Sequence, residues 1–194
     1  MHDPIAKFAD WFAAAQRHEG VLDATVMTLA TATNDGIPSA RIVLLKDHGA
    51  NGFVFYTNFD SRKGTELKLN PKAALCFYWA AMDRQVRIEG NVTPVSDAEA
   101  DTYFAGRERE KQIAAWASHQ SEPLESREEL QGRVDALTKE YDGKTVPRPP
   151  HWSGWRLTPH SLEFWHQGQF RIHEREIFTR ESVGSAWQHT LLNP

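Results

Sequence analysis

The chain has 194 residues, with 22 Lys and Arg set against 26 Asp and Glu, giving a formal net charge of −4. That acidic balance excludes the general cationic coat of a nucleic-acid-binding domain. The lone cysteine, Cys76, excludes an internal disulfide framework and suits a reducing compartment. No apolar run is long enough for a transmembrane helix, and the N-terminus lacks the basic-then-apolar order of a signal peptide. A soluble, cytoplasmic protein is therefore expected, with residues 1–194 forming one domain and seven Trp and ten Phe available for a core or an aromatic pocket.

In chain order, Asp3 is placed to cap a helix beginning at Pro4, with Ile5, Phe8, Phe12 and Ala15 as its apolar stripe and Gly20 as its end. Strands are expected over residues 25–32, 39–46 and 52–58, the first two joined by the turn Thr33-Asn34-Asp35-Gly36. Ser61 caps a helix over 62–69, and strands follow over 73–79 and 85–94. Cys76 lies in the apolar run of the first of these and reads as a small core residue. Ser96-Asp97-Ala98-Glu99 has the capping-box pattern for a helix through Tyr103, and 107–117 and 126–140 read as two more helices. Residues 141–153 hold three prolines and a glycine, which break periodic structure, and three or four short strands complete the chain. Closely spaced antiparallel strands with helices to one side indicate a mainly β fold, a barrel with peripheral helices.

The most telling segment is Phe170-Arg171-Ile172-His173-Glu174-Arg175. As an extended strand it would place Arg171, His173 and Arg175 on one face and Ile172 and Glu174 on the other. Like charges side by side repel, so an anionic or electron-rich ligand over that face would explain them; a solvated face with a chance charge pattern is the alternative. The pattern recurs in Arg41-Ile42-Val43-Leu44-Leu45-Lys46, in Ser61-Arg62-Lys63 and in Arg84-Gln85-Val86-Arg87-Ile88. Local cation clusters on an acidic chain fit a small phosphorylated ligand. No spacing among the nine histidines resembles a zinc site, and there is neither a Gly-rich phosphate loop nor a G-x-S-x-G elbow.

Together with Phe55-Tyr56-Thr57-Asn58, Gln112-Ile113, Ala115-Trp116, Gln120-Ser121 and Glu163-Phe164-Trp165, these stretches resemble the pyridoxine (pyridoxamine) 5′-phosphate oxidases, FMN enzymes of the split-barrel fold. The matching pieces keep their order from about Asp23 to Arg175. The resemblance implies an antiparallel split β-barrel, a homodimer with FMN at the subunit interface, and oxidation of pyridoxamine or pyridoxine 5′-phosphate to pyridoxal 5′-phosphate with reduction of O2 to H2O2. It assigns the FMN phosphate to Arg41, Arg62 and Lys63. The run Ile42, Val43, Leu44, Leu45 and Lys46 and the residues Tyr56, Thr57, Gln85, Gln120, Ser121, Trp165 and Arg175 match its other FMN contacts. Lys46, Tyr103 and Arg107 match the substrate phosphate cradle, with Lys111 where the family has serine. Tyr103, Arg107 and Lys111 would line one helix face if the helix continues through Gly106, although Arg107-Glu108-Arg109-Glu110-Lys111 also alternates in sign like any exposed helix. Arg171 and His173 match the catalytic cover over the substrate ring: a guanidinium stacks on an aromatic ring and a histidine holds or relays a proton. Asp23 aligns with an active-site acid, or simply caps a turn.

Three features depart from the family pattern. An N-terminal arm carrying an Arg and a Tyr in many members does not appear, Lys111 replaces the serine, and Leu191-Leu192-Asn193-Pro194 stands where Arg-Leu-x-Pro is usual. The altered cradle leaves open a phenazine-type oxidase acting on another aromatic substrate. A non-catalytic flavin- or haem-binding protein on the same fold is the other alternative, and Arg171 with His173 argues against it. No metal site, nucleic acid or membrane is expected.

Overall fold

The computed structural model describes residues 3–194, in which mostly antiparallel β-sheet is flanked by five α-helices among the described residues. Helix α1 (Pro4–Arg17) starts where Asp3 Oδ1 accepts from the Ile5 N–H at 2.9 Å, and it buries Phe8, Phe12 and Ala15. It ends at His18, just short of Gly20. The strands are β1 (Val26–Ala32), β2 (Pro38–Leu44), β3 (Asp47–Gly49), β4 (Gly52–Asn58), β5 (Lys72–Trp79), β6 (Arg84–Pro94), β7 (Trp152–His166), β8 (Glu174–Thr179) and β9 (Gln188–Leu191).

Hydrogen bonding orders them β2-β1-β5-β6-β7-β4-β3, with β8 on β7 and β9 on β8. Strands β2 and β3 stand at opposite ends of this order, yet only Leu45 and Lys46 separate them along the chain. The sheet must therefore curl until its edges approach, and at the seam Lys46 N–H, just before β3, donates to Val54 O of β4 at 2.8 Å, which extends the β3–β4 pairing. No ladder joins β2 to β3 or β4 among the described residues, so the barrel stays open there: it is split, as the family resemblance implies.

Leu29, Leu75, Ile88, Leu162 and Phe178 lie in register across β1, β5, β6, β7 and β8, and all are buried. Helix α1 plugs this interior, with the Phe8 ring edge-on to Phe53 at 4.9 Å and Phe77 at 5.2 Å. Because Leu75 and Phe77 take the inner face, alternation turns Cys76 outward, where it is half-buried in the row Thr28–Cys76–Arg87–Glu163. Cys76 is thus not a core residue.

Helix α2 (Arg62–Leu69) begins at its expected cap, Ser61. Helices α3 (Asp97–Ala105), α4 (Arg109–Ala117) and α5 (Arg127–Glu140) gather round a second core of Phe104, Ile113, Val146 and Trp152. The Ser96 cap accepts from Glu99 N–H at 3.2 Å, but the Glu99 carboxylate meets Arg156 at 2.7 Å.

Three expectations need correction. The helix does not run through Gly106: α3 and α4 are separate, and the chain turns between them. The region after Ser153 is not several short strands but the 15-residue β7 followed by β8 and β9. Pro159 survives inside β7 because its partner is Gly90, at a register shift between Glu89 and Gly90, where a Cβ would come within 2.2 Å of Thr158 O. Finally, residues Gln169–Arg171 form a single 3-10 turn in which Phe170 (φ 55°) and Arg171 (φ 65°) are left-handed, so Arg171, His173 and Arg175 do not alternate along one strand. No helix among the described residues is long and apolar enough to cross a membrane.

Candidate functional site

A cleft of about 840 Å³ opens between the end of β2, the β4 side of the seam and the α3–α4 turn. Ile42, Val43, Leu44, Lys46, Tyr56, Thr57, Lys63, Tyr103, Arg107, Lys111 and Gln120 all line it. Leu45 does not, because its side chain is buried in the core.

Lys63, in the first turn of α2, is 9% exposed. Its Nζ donates to Thr57 Oγ1 at 3.0 Å, Ser61 Oγ at 3.0 Å and Gln120 Oε1 at 2.7 Å. Those partners are neutral, so burial, helped by the nearby Arg41 charge, lowers its pKa to about 8. A buried ammonium with only neutral partners beside a cleft fits an anion such as a phosphate.

The opposite wall is aromatic. Tyr56 and Tyr103 stack at 3.9 Å, and Tyr56 lies 5.3 Å from Trp152. Burial, with the Glu99 charge behind it, pushes the Tyr56 hydroxyl up to about 12. The Arg107 guanidinium lies over Trp152 at 4.6 Å, and its Nη1 is buried with no hydrogen-bond partner in the protein. Burial also lowers its pKa. A buried N–H lacking an acceptor is costly, and the side chain that carries it lines a cleft able to admit a ligand. The turn after Gly106 presents Arg107, while Lys111 sits at the start of α4, its ammonium 3.1 Å from Glu108 Oε2. Gln112 ties the end of α3 to α4, donating to Phe104 O at 2.9 Å.

Arg41 and Arg62 sit behind Lys63 and outside the cleft lining. Both reach Glu66, on α2: Arg62 Nε at 2.9 Å and Arg41 Nη2 at 3.4 Å. Burial alone would raise the Glu66 pKa, but hydrogen bonds from Ser39, Thr31 and Arg62 and the Arg41 charge bring it down to about 2. Sequence reasoning missed Glu66; its position four residues after Arg62 on one helix face was the available signal.

The remaining residues form a second group. Gln85, Trp165 and Arg175 lie in one row across β6, β7 and β8 on the outer face. Arg175 Nε meets the buried Glu163 at 2.9 Å, and its Nη1 donates to Asn193 O at 3.0 Å. Arg171 and His173 line a hollow in the β7–β8 turn with Gln167 to Phe170. The His173 ring is 4.7 Å from Trp165, and its Nδ1 accepts from Gly168 N–H at 3.3 Å, which leaves the proton of the neutral ring on Nε2.

The cleft residues Tyr56 and Thr57 of β4 pair with Gly154 and Ser153 at the start of β7, whereas Trp165 and the β7–β8 turn lie at the far end of that strand, roughly 35 Å away along it. The two groups therefore do not converge within one protomer. Between them the outer face exposes Val26 and Tyr78, and at the cleft itself Ile42 and Leu44. Ser121 adjoins the cleft residue Gln120 but is exposed, with φ 75°. Asp23 caps a turn: its Oδ1 accepts from Thr25 N–H at 2.8 Å and Thr25 Oγ1 at 2.6 Å, bonds that lower its pKa. Among the described residues no group of His, Cys, Asp or Glu is arranged to hold a metal ion.

Residues 14–141 match the family described as "Pyridoxamine 5'-phosphate oxidase", and residues 152–194 match the "Pyridoxine 5'-phosphate oxidase C-terminal dimerisation region". The pyridoxine/pyridoxamine 5'-phosphate oxidase of Sphingopyxis alaskensis is 54% identical over 192 residues, covering 99% of this chain and 88% of that protein. The Myxococcus xanthus protein of the same name is 53% identical, covering 99% and 92%. Among solved structures, PhzG from Burkholderia lata 383, in complex with tetrahydrophenazine-1-carboxylic acid, superposes with a TM-score of 0.90 at 34% identity, covering 99% of this chain and 93% of that one. A pyridoxamine 5'-phosphate oxidase-related, FMN-binding protein from Nostoc punctiforme shares the fold, with a TM-score of 0.78 at 16% identity over the whole of both chains.

Proposed function

The chain belongs to the pyridoxamine 5′-phosphate oxidase family, and from that premise we propose that it binds FMN and oxidises pyridoxamine or pyridoxine 5′-phosphate to pyridoxal 5′-phosphate, reducing O2 to H2O2. The observation that carries the reading is the buried, unpartnered Nη1 of Arg107, in a cleft it shares with Lys46, Lys63 and Lys111. Two phosphates need two sets of donors, and this cleft offers cations on two walls.

The residues fit the cofactor. Lys63, backed by Arg41 and Arg62, would hold its phosphate, with Thr57, Gln120 and Ser121 beside it. Lys46, Tyr103, Arg107 and Lys111 would hold the substrate phosphate. FMN, when bound, supplies a two-electron acceptor that dioxygen regenerates. The protein's own part is placement and charge. Arg171 would lie against the substrate ring and stabilise its phenolate, and the His173 Nε2–H would donate to a polar ring substituent.

Gln85, Trp165 and Arg175, with Arg171 and His173, need a second copy to reach such a cleft. A two-fold dimer formed through the exposed outer face would bring the β6–β8 group of one protomer over the β2 cleft of its partner. The match of residues 152–194 to a dimerisation region supports this arrangement. In this reading residues 1–194 act as one split-barrel domain in the cytoplasm.

The test is anaerobic addition of pyridoxamine 5′-phosphate to the yellow protein. The flavin absorbance should bleach, return in air, and leave pyridoxal 5′-phosphate. A flavin that stays oxidised refutes the reading. The likeness to PhzG favours a second one, in which an aromatic carboxylate takes the place of the phosphate. Bleaching by a tetrahydrophenazine carboxylate, and not by the phosphorylated vitamer, would select it.

A further inference from the structure

Two of the three cations assigned to the cofactor phosphate depend on another residue for their placement. The Arg62 side chain is 60% exposed, and its Nε bonds Glu66 Oε1 at 2.9 Å. Arg41 reaches Glu66 Oε2 at 3.4 Å and also bonds the hydroxyls of Thr31 and Ser39. Both hydroxyls in turn bond Glu66 Oε2, Ser39 at 2.6 Å. One carboxylate, 5% exposed, is thus the hub of both guanidinium groups. A buried carboxylate is retained at a desolvation cost, which a purely structural role could avoid with an apolar side chain.

We propose that Glu66 is a positioning residue of the cofactor site, fixing Arg41 and Arg62 as a preformed fork for a terminal phosphate monoester. The inference rests on the flavin reading above. Three cations, Arg41, Arg62 and Lys63, against one carboxylate leave two positive charges, which complement a doubly ionised phosphate. Preorganisation matters most for Arg62, whose exposed chain would otherwise lose rotamer freedom on binding.

The test compares FMN with riboflavin, which has the same ring system and no phosphate. Flavin-free protein is titrated with each, and fluorescence quenching gives both dissociation constants. In Glu66→Gln the carboxamide NH2 replaces an acceptor, and since neither guanidinium group that meets Glu66 can accept, one arginine loses its bond to residue 66 and with it part of its placement. The FMN dissociation constant should rise by about ten-fold or more, the worth of one charge-assisted hydrogen bond, with that of riboflavin nearly unchanged. Glu66→Asp keeps the charge and shortens the reach by one methylene, and should lower the preference for FMN in the same sense. It also carries the test if Glu66→Gln folds too poorly to bind riboflavin. A preference that is unchanged or greater in Glu66→Gln overturns the inference, as does parent-like behaviour of Glu66→Asp. A parent protein that binds neither flavin overturns the flavin reading and this inference with it. A parent that binds both, with variants of unaltered preference, overturns this inference alone.

Discussion

Replacing Lys63 with methionine should stabilise the flavin-free protein at neutral pH, and the gain should fade as pH rises. The ammonium is held by three neutral acceptors and titrates at about 8, against 10.5 for a free lysine. At about 1.4 kcal/mol per pKa unit, that depression is a penalty of about 3 kcal/mol for keeping the charge buried. Between pH 8 and 10.5 the unfolded chain binds this proton more tightly than the folded one, so the parent gains stability as pH rises through that window. Below pH 8 the full penalty applies, and above 10.5 none remains. Methionine carries no such proton. The stability difference between variant and parent should therefore shift by about 3 kcal/mol in the parent's favour from pH 7 to pH 11. The lost hydrogen bonds offset part of the gain, and their change as the ammonium deprotonates is already contained in the shifted pKa. Urea denaturation followed by tryptophan fluorescence across this range measures the difference. A gap that stays constant with pH would show that the ammonium is not desolvated and would remove the case for an anion site at Lys63.

Much of the scaffold was legible because its signals are local. Ser61 caps α2 and the apolar run 52–58 is β4, and both elements fall where the sequence puts them. The failures are those that depend on distant neighbours. Pro159 reads as a breaker until Gly90 and its register shift, on another strand, are known to lie opposite. The alternation of Arg171, His173 and Arg175 imitates a strand, but Gly168 packs its backbone so close to Ile172 that a Cβ would stand 1.7 Å from Ile172 O, and the chain turns instead. Glu66 was one helical turn from Arg62, yet Thr31 and Ser39, which make it a hub, come from β1 and β2. Lys46, Lys63, Tyr103 and Arg107 come together in one cleft and Arg171 with His173 in one turn; that division arises from the placement of distant strands across the sheet, which no short segment encodes.

Arg171→Ala and His173→Ala should keep FMN and lose turnover, because in the proposed site both face the substrate and not the flavin phosphate; flavin content and steady-state rates check this, and loss of flavin would contradict it. Lys111→Ala should raise KM for pyridoxamine 5′-phosphate and weaken its salt dependence, whereas Glu108→Gln, which frees the ammonium now 3.1 Å from that carboxylate, should lower KM. The division of the site makes a sharper prediction. Lys63 belongs to the cleft group and His173 to the β7–β8 turn. If each site draws one group from each protomer, the substitutions Lys63→Met and His173→Ala fall in the same site of a mixed dimer, and its other site carries neither. Two inactive proteins, co-expressed with different tags and purified through both, should therefore recover about half the activity of the parent per dimer, since one of two symmetric sites is intact. If both groups served a cleft within one protomer, every site of the mixed dimer would carry one lesion and no activity would return. Inactive mixed dimers that retain flavin would refute the shared site.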